Sequence, residues 1–142
     1  MKVVIASGYF NPIHKGHIEY LEKAKELGDY LFVIVNNDIQ AELKRGVASY
    51  MEEKDRFSIV NALRCVDGSM ISIDKDATVV KSIAEVYTLL IKEVGATEII
   101  FAKGGDRFVD EIPESSLCDK LDIDIVDGLG EKIRNSSDYI NK

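Results

Sequence analysis

The sequence predicts an α/β fold: a Rossmann-like three-layer sandwich around a five-stranded parallel sheet. Two observations carry that reading. Short apolar runs, each ending in polar or glycine-bearing sequence, alternate with longer stretches whose apolar residues recur at helical spacing. The early runs are apolar without alternation, as strands buried on both faces are. Strand, helix and strand at this spacing give right-handed crossovers and a sheet covered by helices on both sides.

The elements follow in order. Val3-Val4-Ile5-Ala6 reads as the first strand, and Gly8-Tyr9-Phe10-Asn11-Pro12 leaves it. A helix starts near Lys15 or Gly16, with Ile18, Leu21, Ala24 and Leu27 facing inward and Gly28 as its stop. Tyr30 to Val35 is the second strand, ending in Asn36-Asn37-Asp38, and residues 39–50 are expected to form a polar loop. Met51 to Leu63 reads as a helix with Phe57, Val60, Ala62 and Leu63 inward, and Met70 to Ile73 as the third strand. Ile83, Val86, Leu90, Ile91 and Val94 share one face of a longer helix that Gly95 closes. Glu98 to Ala102 is the fourth strand and empties into Lys103-Gly104-Gly105-Asp106-Arg107. Pro113 opens a helix to about Leu121, Ile123 to Val126 is the fifth strand, and Ser136 and Ser137 begin a last short helix.

Bulk properties bound the function. A length of 142 residues matches one domain with one core, so residues 1–142 are read as a single unit. A hydrophobic share of 46% beside 30% charged residues is that of a soluble globular protein, and the short start before the first strand lacks a signal peptide, so a cytoplasmic location is expected. Cys65 and Cys118, in different predicted helices and without Cys-x-x-Cys spacing, indicate neither zinc nor a disulfide framework. Eighteen basic against 25 acidic side chains leave a net charge of −7, which argues against a nucleic-acid partner but not against a small phosphorylated ligand met by a local basic pocket. No apolar stretch has the length of a membrane span.

The most informative string is Gly8 to His17, which holds the only two histidines of the chain, His14 and His17, around Gly16. A turn leaving a parallel strand and opening a helix is a place where anions bind, through amides that the helix leaves unpaired. Two imidazoles at i and i+3 add ring donors that face one object, and Gly16 leaves room for it to approach.

This string resembles the nucleotidyltransferase superfamily with the His-x-Gly-His signature, which includes glycerol-3-phosphate cytidylyltransferase, heptose-1-phosphate adenylyltransferase and archaeal FAD synthetase. The resemblance implies an enzyme that binds a nucleoside triphosphate with Mg²⁺, held mainly through the nucleotide phosphates. A phosphomonoester on a small metabolite then attacks the α-phosphorus, and pyrophosphate leaves. By resemblance His14, His17 and Lys44 are catalytic. The nucleotide falls to Gly8, Tyr9, Phe10, His14, Gly16, His17, Lys103, Gly105, Asp106, Ser136 and Ser137, and the acceptor to Asn11, Asp38 and Arg56, the arginine holding either the acceptor's phosphate or the site loops.

Lys103-Gly104-Gly105-Asp106 is similar to the corresponding segment of heptose-1-phosphate adenylyltransferases, which puts ATP first and CTP a close second. Asn11 replaces the aspartate of the sugar-phosphate members, and Lys132-Ile133-Arg134 does not reproduce the lead-in of the cytidylyltransferase. The acceptor's identity stays open. A homodimer is expected by resemblance alone, and a non-catalytic nucleotide or phosphometabolite sensor on the same fold is the alternative reading.

Overall fold

The computed structural model describes residues 1–104 and 112–129. Within them the apolar runs pair into one parallel sheet of five strands in the order β3-β2-β1-β4-β5, with β1 spanning Lys2–Gly8, β2 Tyr30–Val35, β3 Gly68–Ile71, β4 Glu98–Gly104 and β5 Asp124–Leu129. The chain winds outward from β1 through β2 to β3, then returns to the other side of β1 to build β4 and β5. Strand order therefore reverses between β1 and β4, and the carboxyl ends beside that seam are where open parallel sheets bind ligands.

Alternate side chains of β1 explain why its sequence is apolar throughout. Val3 and Ile5 join Phe32, Ile34, Ile83, Val86, Leu90 and Phe101 in a core on one face of the sheet. Val4 and Ala6 join Leu21, Ala24, Leu31, Val33, Val35 and Val60 on the other. Helix α1 (Lys15–Glu26) and helix α3 (Glu53–Asn61) supply residues to the second core. Helix α4 (Val80–Leu89) and helix α5 (Ser115–Lys120) supply the first. The three-layer α/β architecture expected from the sequence is what forms.

Several expectations need correction. Residues 39–50 are not all loop, because Asp38–Arg45 form helix α2, closed by Gly46 at φ 77°. Its inward face is Gln40 and Ala41 while Ile39 and Leu43 point outward, so the usual apolar stripe is reversed. Helix α3 starts at Glu53 and buries Arg56 and Val60, leaving Ala62 exposed. After α4 a π-helical turn, Leu90–Val94, breaks the 3.6-residue phase and turns Ile91 outward before Gly95 ends it at φ 85°. Cys65 lies in the turn after α3 rather than in a helix, and both cysteines are free. The helix expected from Ser136 lies outside the described residues.

Candidate active site

The turn after β1 doubles back on itself. Phe10 takes φ 52°, a left-handed conformation costly for a bulky residue, and its ring is fully buried. The ring lies over Gly8, where a Cβ would come within 2.9 Å of Cζ, so the glycine is required by this packing. The other side of the ring meets His17 edge to face, with centroids 5.1 Å apart. Phe10, which the resemblance places with the nucleotide, thus has its ring as a support beneath a histidine.

His14 and His17 open α1 as a reciprocal cap. Nδ1 of His14 accepts from the Gly16 amide at 3.1 Å, and Nδ1 of His17 accepts from the His14 amide at 3.1 Å. The two rings stack at 3.9 Å. A ring nitrogen that accepts from an amide carries no proton, so in each neutral imidazole the proton sits on Nε2. Burial, the neighbouring His14 and Lys44 together hold the His17 pKa down to about 3, which keeps that ring neutral. The sequence predicts both helix-start amides and ring N–H groups as donors; in the structure the imidazoles take up the His14 and Gly16 amides, and the rings keep Nε2–H as their donor.

Lys44, near the end of α2, places Nζ 4.4 Å above the centre of the Tyr9 ring, close enough for its charge to act on His17. His14, His17, Tyr9 and Lys44 are therefore brought together. Lys15 points to solvent beside Glu19. At the end of β4, Lys103 lies over the ring of Phe101 at 5.4 Å. Gly105, Asp106, Ser136 and Ser137 lie outside the described residues.

Arg56 takes the second of its two expected roles, the holding of site loops. It is completely buried, and its Nε donates to the Met51 carbonyl at 2.9 Å while Nη1 donates to the carbonyls of Tyr9 at 2.8 Å and Asn36 at 2.5 Å. Nη2 bonds Asp38 Oδ1 at 2.7 Å. Its donors go to three loops and a carboxylate, so Arg56 acts as a clamp on the site loops between the exits of β1 and β2, while Asp38, with 39% of its side chain exposed, gives one oxygen to that clamp. Asn11, 4% exposed, accepts the Met51 amide at 2.7 Å.

Sequence reasoning missed two supporting groups. Asn37 and Gln40 cap α2 reciprocally, at 2.9 and 3.1 Å, a pattern that Asn-x-x-Gln ahead of a helix announces. Tyr20 has no such signal: its buried hydroxyl accepts from the Ser7 amide at 3.3 Å and donates to the Ala102 carbonyl at 2.5 Å, so it spans the seam between β1 and β4.

A turn beside the strand-order reversal that brings together two imidazoles, the Tyr9 ring and the Lys44 ammonium agrees with what comparison finds. The family described as Cytidylyltransferase-like matches residues 5–129. The chain belongs to the cytidylyltransferase-like family. An FAD synthase of Ferroglobus placidus is 42% identical over 54% of this chain and 49% of its own length. That of Thermoplasma acidophilum is 39% identical over 61% of each. The bifunctional protein HldE of Helicobacter pylori is 45% identical over 46% of this chain and 14% of its own. The matches thus span less than two thirds of those relatives. The crystal structure of a lipopolysaccharide core biosynthesis protein from Thermoplasma volcanium superposes with a TM-score of 0.64 at 26% identity, covering 92% of this chain and 98% of that one. The resemblance drawn from the His-x-Gly-His string is borne out. Among the described residues of this cytidylyltransferase-like chain, no helix is long and apolar enough to cross a membrane.

Proposed function

We propose that this protein is a nucleotidyltransferase. It moves an NMP group from a nucleoside triphosphate to the phosphate of a small phosphorylated metabolite. An oxygen of the acceptor phosphate attacks the α-phosphorus, the bond to the β-phosphate oxygen breaks, and pyrophosphate leaves with that electron pair. No covalent enzyme intermediate is needed. The protein's work is to orient two anions and to offset negative charge as it develops.

The observation that carries this reading is the paired use of Nδ1. Because main-chain amides occupy that atom in both histidines, each ring is fixed as an Nε2–H donor, which needs no proton transfer to bind a phosphate oxygen. Lys44 adds the formal charge that neutral imidazoles lack. Mg²⁺ would come with the triphosphate, held by phosphate oxygens that it partly neutralises; the described residues bring no three ligating side chains together.

ATP is the preferred donor. FAD contains an AMP unit joined to FMN, and relatives named FAD synthase favour adenylyl transfer over cytidylyl transfer. The test is to incubate the protein with ATP, CTP, GTP or UTP, Mg²⁺ and a panel of sugar phosphates, polyol phosphates and FMN. Pyrophosphate release with ATP and one acceptor is expected. Saturable nucleotide binding with no pyrophosphate from any pair would support a sensor instead.

A further inference from the structure

Four carboxamides are buried at the exits of β1 and β2: Asn11, Asn36, Asn37 and Gln40. Three of them spend their NH₂ groups inside the protein. Asn36 Nδ2 donates to Gln40 Oε1 at 3.1 Å. Asn37 Nδ2 donates to the carbonyls of Ser72 and Asp74, and Gln40 Nε2 to those of Asp76 and Thr78. Asn11 differs. Its Oδ1 is taken by the Met51 amide at 2.7 Å, while Nδ2, buried as well, has no hydrogen-bond partner among the described residues. A donor left unpaired in a protein interior is costly, and where it persists beside a ligand site it marks a place for an acceptor atom.

We infer that Asn11 is a specificity-determining residue, whose Nδ2 donates to the phosphate of the acceptor. This rests on the transfer reaction proposed above. Asn11 stands three residues before His14 and is joined to Met51, which the Arg56 clamp ties to the β2 exit. The nucleotide's place is the seam between β1 and β4, on the other side of β1. Asn11 therefore lies on the side left for the second substrate. The chemistry at this position is one-sided. Either asparagine or aspartate accepts the Met51 amide, but only asparagine then offers an N–H to an anionic oxygen. An aspartate would present a second negative oxygen, suited to a hydroxyl or a cation and repellent to a phosphate. Asn11 thus directs this protein toward an acceptor whose phosphate itself reaches the position beside His14.

Asn11→Asp isolates the donor, because it keeps shape and the Met51 bond. With ATP and either FMN or glycerol 3-phosphate as acceptor, it should raise the acceptor KM roughly ten- to hundredfold and leave the ATP KM within about twofold. Equal rises in both KM values, or none in the acceptor's, would overturn the assignment. A second measurement needs neither turnover nor a folded variant. In the wild-type protein loaded with α,β-methylene-ATP, titration with inorganic phosphate should shift the Asn11 side-chain amide resonances in ¹H–¹⁵N spectra. Resonances that stay in place would refute the inference. Absence of pyrophosphate release by the wild type with every pair would instead strike the transferase reading, and the titration would still decide for or against phosphate at Asn11.

Discussion

The exits of β1 and β2 are built on one plan and come to opposite ends. Each strand ends in a turn that opens a helix, and in each the fourth capping side chain accepts the first residue's amide, His17 from His14 and Gln40 from Asn37, while the first side chain accepts an amide of the opening turn, Gly16 or Gln40. At the β2 exit the rest of both side chains is absorbed: the loop from Ser72 to Thr78 folds over them and takes their amide protons. The cap is sealed and contributes stability. At the β1 exit the capping atom is one nitrogen of an imidazole, and the ring keeps a second nitrogen that carries its proton. The same local device becomes a structural lock when built from carboxamides and a donor pair when built from imidazoles.

The largest test of this contrast is His17→Ala. Removing one preorganised donor should lower turnover roughly 10²- to 10³-fold while the chain still folds, as measured by pyrophosphate release beside circular dichroism. Turnover within a few fold of the wild type would make the β1 cap no more than a second lock. Next comes Arg56→Lys, because Arg56 fastens both exits at once. A lysine cannot reproduce four directed bonds, and leaving buried carbonyls unmet should cost about 3 kcal/mol in denaturant unfolding. A loss below roughly 1 kcal/mol would mean that the clamp is replaceable.

Gln40→Ala should cost a little less, about 2–3 kcal/mol, and the folded fraction should keep its turnover, since Gln40 spends its amide group on carbonyls inside the protein. A drop in turnover comparable to that of His17→Ala would dissolve the distinction between the exits. The smallest effect is on pH dependence. His17 is held at about 3 in the fold against an ordinary 6.5, so between those values the unfolded chain binds the extra proton. Its contribution to stability is complete above pH 6.5 and declines as pH falls toward 3. Wild type should therefore lose more stability than His17→Asn between pH 7 and pH 4.5 in matched denaturant titrations. Parallel losses would show that His17 titrates normally.

How legible these features are depends on which physical rule each obeys. The strands are plain in the sequence because a sheet buried on both faces demands continuous apolar runs, and Val3 to Ala6 and Tyr30 to Val35 supply them. Helix α2 is hidden because its inward residues are Gln40 and Ala41, and a polar side chain buried by a network of bonds imitates an exposed one in any hydropathy pattern. Arg56 is hidden for the same reason, since a fully buried arginine is uncommon and becomes intelligible only once the carbonyls around it are seen. The histidine pair was legible as a motif. Which nitrogen faces inward depends on the turn geometry that Phe10 and Gly8 set, and spacing alone does not contain it.

The phenol of Tyr20 has a mechanical consequence. It joins Ser7 of β1 to Ala102 of β4, and burial pushes its pKa up, which favours the protonated phenol that donates to the Ala102 carbonyl. Neighbouring strands pinned in this way do not part. Any opening and closing around a substrate must then be done by the turns above the sheet, and the distance between the two strand ends acts as a fixed gauge for what enters.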